Sequence, residues 1–158
     1  MNMRLALYCP DIPQNAGTMI RLGACLGIGV DVIEPCGFTF SDASLRRSGM
    51  DYLARAAIRR HVDFASFDQF RRGERRRLVA LTTRGACAPH DFAFAPGDVL
   101  LVGRESAGLP DDVHALADAR LRIPMVAGAR SLNVAVSAAM VLAEALRQTQ
   151  QFPSDQSE

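Results

Sequence analysis

Val99-Leu100-Leu101-Val102 runs directly into Gly103-Arg104-Glu105-Ser106-Ala107-Gly108-Leu109-Pro110. An apolar run with no polar alternation describes a strand covered on both faces, as in a parallel sheet, and the glycine-flanked polar stretch ends it. Val30-Asp31-Val32-Ile33 is nearly as unbroken, and Arg4–Tyr8, Leu78–Thr82 and Leu121–Ile123 read as further strands. Between them, helical spacing or capping residues mark Asn15–Leu26, Ser44–Ala57, Phe67–Arg72, Asp111–Leu116 and Leu132–Gln150, the last with Leu132, Val136, Met140, Ala143 and Leu146 on one stripe. Strands alternating with helices give an α/β fold with helices on both faces of the sheet. At 158 residues, with no repeat and no linker, the chain reads as one domain over residues 1–151, with 152–158 as a polar tail after the helix that Pro153 stops.

Composition removes several function classes. All 18 basic side chains are arginine, and the net charge is +1. Without lysine there is no Schiff base, no pyridoxal-phosphate anchor and no P-loop lysine. Cys9, Cys25, Cys36 and Cys87 are too widely spaced for a CxxC pair, and His61, His90 and His114 are the only histidines, so no metal site is expected. No signal peptide and no apolar run of transmembrane length is seen, so a cytosolic protein with reduced thiols and no membrane partner is expected.

Two other segments share the character of the Gly103 loop. Asn15-Ala16-Gly17-Thr18-Met19-Ile20-Arg21 opens the first helix, and Arg122-Ile123-Pro124-Met125 leads through a polar turn to Ser131-Leu132-Asn133-Val134-Ala135-Val136 and the last helix. All three lie where strand gives way to loop or helix, the place where open α/β sheets hold ligands. Taken singly, Asn15 reads as an N-cap, Arg21 as an exposed helix arginine, Glu105 as a charge at a helix N-terminus, and Ile123 and Met125 as core. The dense run Arg71, Arg72, Arg75, Arg76, Arg77, joined in composition by Arg55, Arg59 and Arg60, reads either as a phosphate track or as a solvated face.

In this order and spacing, the three motifs resemble those of the SpoU branch (SpoU/TrmH type) of the SPOUT RNA 2′-O-methyltransferases, over nearly the whole chain. Within that branch Pro13-Gln14-Asn15, Ile33–Phe38 and Leu45-Arg46-Arg47-Ser48-Gly49-Met50-Asp51-Tyr52 are similar to the small tRNA methyltransferases that act on the wobble nucleotide, cytidine or a modified uridine. The resemblance implies a SPOUT-type parallel sheet with a deep C-terminal trefoil knot, S-adenosylmethionine as cofactor without a metal, a homodimer built on the first and last helices, and tRNA, read at its anticodon stem-loop, as partner. It also implies site residues: Leu81, Gly103, Ile123, Met125 and Ser131 around the cofactor; Asn15, Arg21, Glu105, Ser131 and Asn133 as the catalytic set; Arg46 and Arg47 as RNA contacts. A guanidinium stays protonated in a protein, so gripping a phosphate beside the target ribose suits Arg21 better than acting as a base. Glu105 is expected to position loop amides and Asn15. After the motif asparagine the relatives carry Leu-Ser-Asn, where this chain has Val134-Ala135-Val136 and so lacks any contact made by that Ser-Asn pair. Two alternatives stand beside this reading: a ribosomal RNA 2′-O-methyltransferase of the same family, and a non-catalytic RNA-binding module.

Overall fold

The computed structural model describes residues 1–47 and 55–154. Six parallel strands form one sheet in the order β3-β2-β1-β5-β4-β6: β1 Arg4–Tyr8, β2 Gly29–Ile33, β3 Ile58–His61, β4 Leu78–Leu81, β5 Val99–Val102 and β6 Ala119–Leu121. The helices are α1 Pro13–Leu26, α2 Asp42–Arg47, α3 Phe64–Gly73, α4 Asp111–Leu116 and α5 Val134–Thr149. One apolar layer packs α1 and α5 on the sheet through Met19, Ile20, Val141, Leu142 and Leu146. On the other face Phe67 of α3 and Val113 of α4 pack on Ala6, Leu78, Ala80, Val99 and Leu101. β5 is buried along its whole length, as its unbroken apolarity requires.

Several elements differ from the sequence reading. β3 was not expected, and the helix expected over Ser44–Ala57 ends its described part at Arg47, while Ser48–Ala54 lie outside the described residues. β3 hides its character because it is an edge strand whose two central residues are exposed arginines: Arg59 lies over the Phe70 ring and Arg60 over Phe40. α3 starts three residues early, since the Asp63 side chain caps it by accepting from the Ser66 amide at 2.8 Å. β6 is Ala119–Leu121 rather than Leu121–Ile123: its pairing with β4 runs from Ala119 and ends at Leu121, and the Arg122 amide then donates to the Cys87 carbonyl at 2.9 Å.

The stripe expected on α5 mixes two faces. Ala135, Ala138, Val141, Leu142, Ala145 and Leu146 are buried, whereas Leu132, Val136 and Met140 are 41%, 51% and 48% exposed and Ala143 is exposed too. The inward face combines Ala135, Ala138 and Ala145 with Val141, Leu142 and Leu146. Leu132, Val136 and Met140 form an apolar outward face.

Candidate functional site

α1 begins with Pro13 at its first turn, and its cap residue Ile12 makes no side-chain capping bond. Proline at that position removes an amide that would have needed a cap. Asn15, expected as the start of the helix, therefore sits inside the first turn with its amide group available. Its Nδ2 donates to Glu105 Oε1 at 3.4 Å, and its Oδ1 accepts from Asn133 Nδ2 at 3.1 Å. Asn133 is the N-cap of α5, its Oδ1 accepting from the Ala135 and Val136 amides at 2.8 and 3.2 Å. Two hydrogen bonds thus tie all three motifs together.

Asp11 supplies a second tie that the sequence reading missed. Its Oδ1 accepts from Arg104 Nη2 at 2.5 Å and Nε at 3.2 Å, and its Oδ2 accepts from the Ser106 hydroxyl at 2.5 Å and amide at 3.2 Å. The Asp11 amide in turn donates to Glu105 Oε2 at 2.8 Å. The Arg104 guanidinium and the Ser106 hydroxyl hold the Asp11 carboxyl at a pKa of about 2. A loop otherwise exposed at Ser106, Ala107 and Gly108 is thereby fixed by charge-assisted bonds. The only local signal was an aspartate in the loop after β1, too common in turns to single out.

These ties frame a cleft of about 640 Å³ outside the C-terminal ends of β4 and β5. Asn15, Leu81, Gly103, Glu105, Ile123, Met125, Ser131 and Asn133 all line it, so eight of the expected residues meet in one place. Leu81, Val102, Leu109 and Ile123 give apolar walls, while Thr82, Arg130 and Ser131 add polar groups. Such a cavity suits a mostly apolar, partly hydrogen-bonding small molecule. A Cβ on Gly103 would fall 2.7 Å from the Gly108 carbonyl carbon and 3.0 Å from the Leu109 amide, so only glycine lets the loop fold back at this point.

The cleft offers positioned amides and hydroxyls together with the charges of Arg104, Glu105, Arg122 and Arg130. Burial pushes up the pKa of the neighbouring thiols, Cys9 and Cys36, the latter to about 11 with help from the Glu34 charge, so both remain protonated at neutral pH and offer no thiolate. Among the described residues no group of three or more His, Cys, Asp or Glu could hold a metal ion, and no helix is long and apolar enough to cross a membrane. Behind β4, Thr82 Oγ1 lies 3.4 Å from His114 Nε2, and burial followed by the Arg84 and Arg120 charges lowers the His114 pKa. A neutral imidazole therefore backs this wall.

Three expected residues lie elsewhere. Arg21 is exposed on α1, six residues and roughly 9 Å of helix beyond Asn15, and does not line the cleft of its own chain. Arg46 is exposed on α2; of Arg47 only the helical backbone is described. The arginine run at 71–77 is at the opposite end of the strands, ahead of β4. Arg71 pairs with Asp68 and Asp118, Arg72 with Asp68, Arg76 with Glu74, and Arg77 with Asp98. Four of the five are engaged with carboxylates, while the side chains of Arg72 and Arg77 stay 58% and 44% exposed and Arg75 is exposed.

Comparison with known proteins adds to this geometry. Residues 2–143 match the model of the SpoU rRNA Methylase family. The tRNA (cytidine(34)-2′-O)-methyltransferase of Ancylobacter novellus is 60% identical over 152 residues, covering 96% of each chain. The protein of the same name from Escherichia coli K12 is 41% identical over 92% of this chain and 93% of its own. A solved structure concerned with 2-OH methylation of C/U34 on tRNA superposes with a TM-score of 0.87 at 41% identity, covering 92% of this chain and 95% of the other. A SpoU methyltransferase from Streptomyces viridochromogenes, solved in complex with the cofactor AdoMet (S-adenosylmethionine), gives 0.84 at 30% identity over 93% of this chain and 57% of its own.

Proposed function

Since the chain belongs to the SpoU rRNA methylase family, we propose that its cleft is the cofactor site of an S-adenosylmethionine-dependent tRNA 2′-O-methyltransferase acting on the wobble nucleotide, cytidine or a modified uridine. The observation that carries this is the 60% identity, over 96% of both chains, to a tRNA (cytidine(34)-2′-O)-methyltransferase. Residues 1–151 act as one catalytic domain with 152–158 as its tail, and the enzyme works in the cytoplasm.

The lining fits the cofactor's chemistry. Leu81, Ile123 and Met125 bring apolar surface and strand-end backbone groups to an adenine, while Ser131 and the Gly103 loop offer hydrogen bonds to its polar groups. When bound, S-adenosylmethionine supplies an electrophilic methyl group. Asn15, Glu105 and Asn133 hold the three loops in register, so the hydroxyl to be methylated meets a preformed site. Arg21 grips the phosphate beside the target ribose and favours the ionised hydroxyl by its charge. Arg46 and Arg47 contact the RNA on the acceptor side.

Arg21 serves a partner's cleft in a homodimer. This rests on the family resemblance, on the exposure of Arg21 outside its own cleft, and on the apolar outward face of α5, Leu132, Val136 and Met140, continued by Ile12 at 41% exposure beside α1. Light scattering at micromolar concentration is expected to give twice the 17.1 kDa chain mass; a monomer overturns the dimer. From the family resemblance we also infer a trefoil knot in the C-terminal half; the loop after β4 lies against the end of β6, where a Cβ on Gly85 would fall 2.4 Å from the Leu121 carbonyl carbon.

The test is methyl transfer from labelled cofactor to a synthetic anticodon stem-loop carrying cytidine at the wobble position. Label is expected in that loop and not in its 2′-deoxy counterpart. Equal labelling of the two overturns 2′-O transfer at that nucleotide.

A further inference from the structure

Beyond the end of β2, Glu34 to Phe40 carries an aromatic and charged group that the methyl-transfer site does not use. Phe38 and Phe40, both half-buried, lie with ring centroids 6.4 Å apart at 32°. The Arg60 guanidinium from β3 sits over the Phe40 ring at 4.8 Å, and its Nη2 donates to Glu34 Oε1. Phe40 supports one face of the guanidinium, Glu34 holds its edge, and the Arg60 side chain is still 50% exposed. A planar cation is thus fixed in orientation with surface left over.

The segment is anchored on the loop that frames the cleft. The Gly37 amide donates to the Pro10 carbonyl at 2.9 Å. A Cβ at Gly37 would fall 2.9 Å from Asp11 Oδ1 and 3.0 Å from its Cα, so the two loops touch with no room between them. Asp11 is the residue that holds Arg104, Ser106 and Glu105. The segment that carries Phe40 is therefore packed, through Gly37, on the Asp11 loop that frames the cleft.

We propose that the stack of Phe40 and Arg60, held by Glu34, is a platform for an unpaired nucleobase of the RNA substrate next to the methylated nucleotide. The choice of a base over a phosphate follows from Glu34. A carboxylate already neutralises Arg60, so its charge is spent, and what remains on offer is its flat face. Arginine planes backed by aromatic rings are stacking surfaces for bases splayed out of single-stranded loops. The platform rests on the tRNA reading above, because an anticodon loop supplies such bases within a few nucleotides of the wobble ribose.

The experiment is a scan of anticodon stem-loops, each with one abasic nucleotide, against wild type, Arg60→Lys and Phe40→Leu, measuring KM for the loop and cofactor affinity by calorimetry. Lysine keeps the charge and loses the plane; leucine keeps apolar packing and loses the ring. Wild type is expected to lose about tenfold in KM at one loop position, in line with the removal of one stacked base. Arg60→Lys is expected to lose a similar factor on the intact loop and nothing further on that abasic loop, with cofactor affinity unchanged; Phe40→Leu follows in the same direction. If Arg60→Lys equals wild type, or its loss adds in full to the abasic loss, the platform is overturned. A wild type that methylates no anticodon loop overturns the wobble reading itself, an outcome distinct from an active enzyme indifferent to Arg60.

Discussion

Arginines ring both ends of the sheet, and the two ends use them differently. At the end where strands begin, Arg4 pairs with fully buried Asp31 at 2.6 Å, Arg77 with Asp98 at 2.7 Å, and Arg76 donates to Glu74 and to the carbonyls of Asn2 and Gly97. At the end where strands finish, Arg122 and Arg130 are exposed, with no side-chain hydrogen bond or ion pair among the described residues. The densest run of positive charge in the sequence is thus largely ion-paired, and at the finishing end Arg122 and Arg130 are open while Arg104, Arg84 and Arg60 pair with Asp11, Asp111 and Glu34. Charge density along a sequence counts side chains without their partners; the carboxylates around each guanidinium set how much of its charge is left for a phosphate.

The largest effect expected at the ligand end is on turnover. Arg21→Ala should lower kcat by about a hundredfold or more while leaving cofactor affinity nearly intact, since the arginine is assigned to the acceptor side. Equal loss of cofactor binding would move Arg21 to the cofactor. Gly103→Val should remove cofactor binding from calorimetric reach up to millimolar concentration, because its Cβ collides with the Gly108 and Leu109 backbone.

A smaller effect is expected from the clamp. Asp11→Asn keeps the shape and removes the ion pair with partly exposed Arg104, so cofactor affinity should fall by about five- to tenfold. A carboxyl whose pKa is lowered on folding stabilises above its unfolded value, 3.8, and loses that contribution as pH falls toward about 2. The stability gap between wild type and Asp11→Asn, followed by denaturant unfolding, should be constant from pH 8 to 5 and close below pH 4. A gap that widens on acidification would mean that Asp11 is not the group responsible.

The two ends are separated most cleanly by a paired measurement. Arg76→Ala should lower stability by about 1–2 kcal/mol, through three lost donor contacts, with no change in the salt dependence of RNA binding. Arg130→Ala should do the reverse, reducing the salt slope by about one with no loss of stability. The smallest effect is expected from Arg46→Ala, a weaker RNA affinity of a few-fold, because a single exposed arginine makes one screened contact.

Much of this contrast was legible in the sequence, and the exceptions have physical causes. The apolar run Val99–Val102 and the motif glycine predicted a buried strand with a ligand loop after it, and β5 and the cleft stand there. Eight expected residues share that cleft because each lies at a strand end or helix start, where topology alone brings them together. Asp11 went unread since its partners are 93 to 95 residues away in the chain. β3 was missed since two exposed arginines mask its alternation, and the arginine run was open to two readings because, beside the local partners Asp68 and Glu74, it is paired with Asp98 and Asp118 from other parts of the chain.

In the function proposed above, the strand-end cleft serves methyl transfer to a tRNA wobble ribose. Purified protein, S-adenosylmethionine and the total RNA of a strain lacking the gene, mapped for 2′-O-methylation at nucleotide resolution, test it directly. The expected result is new methylation at the wobble nucleotide of a small set of tRNAs. Methylation confined to ribosomal RNA, with every wobble ribose unchanged, would contradict it and leave only the wider family activity.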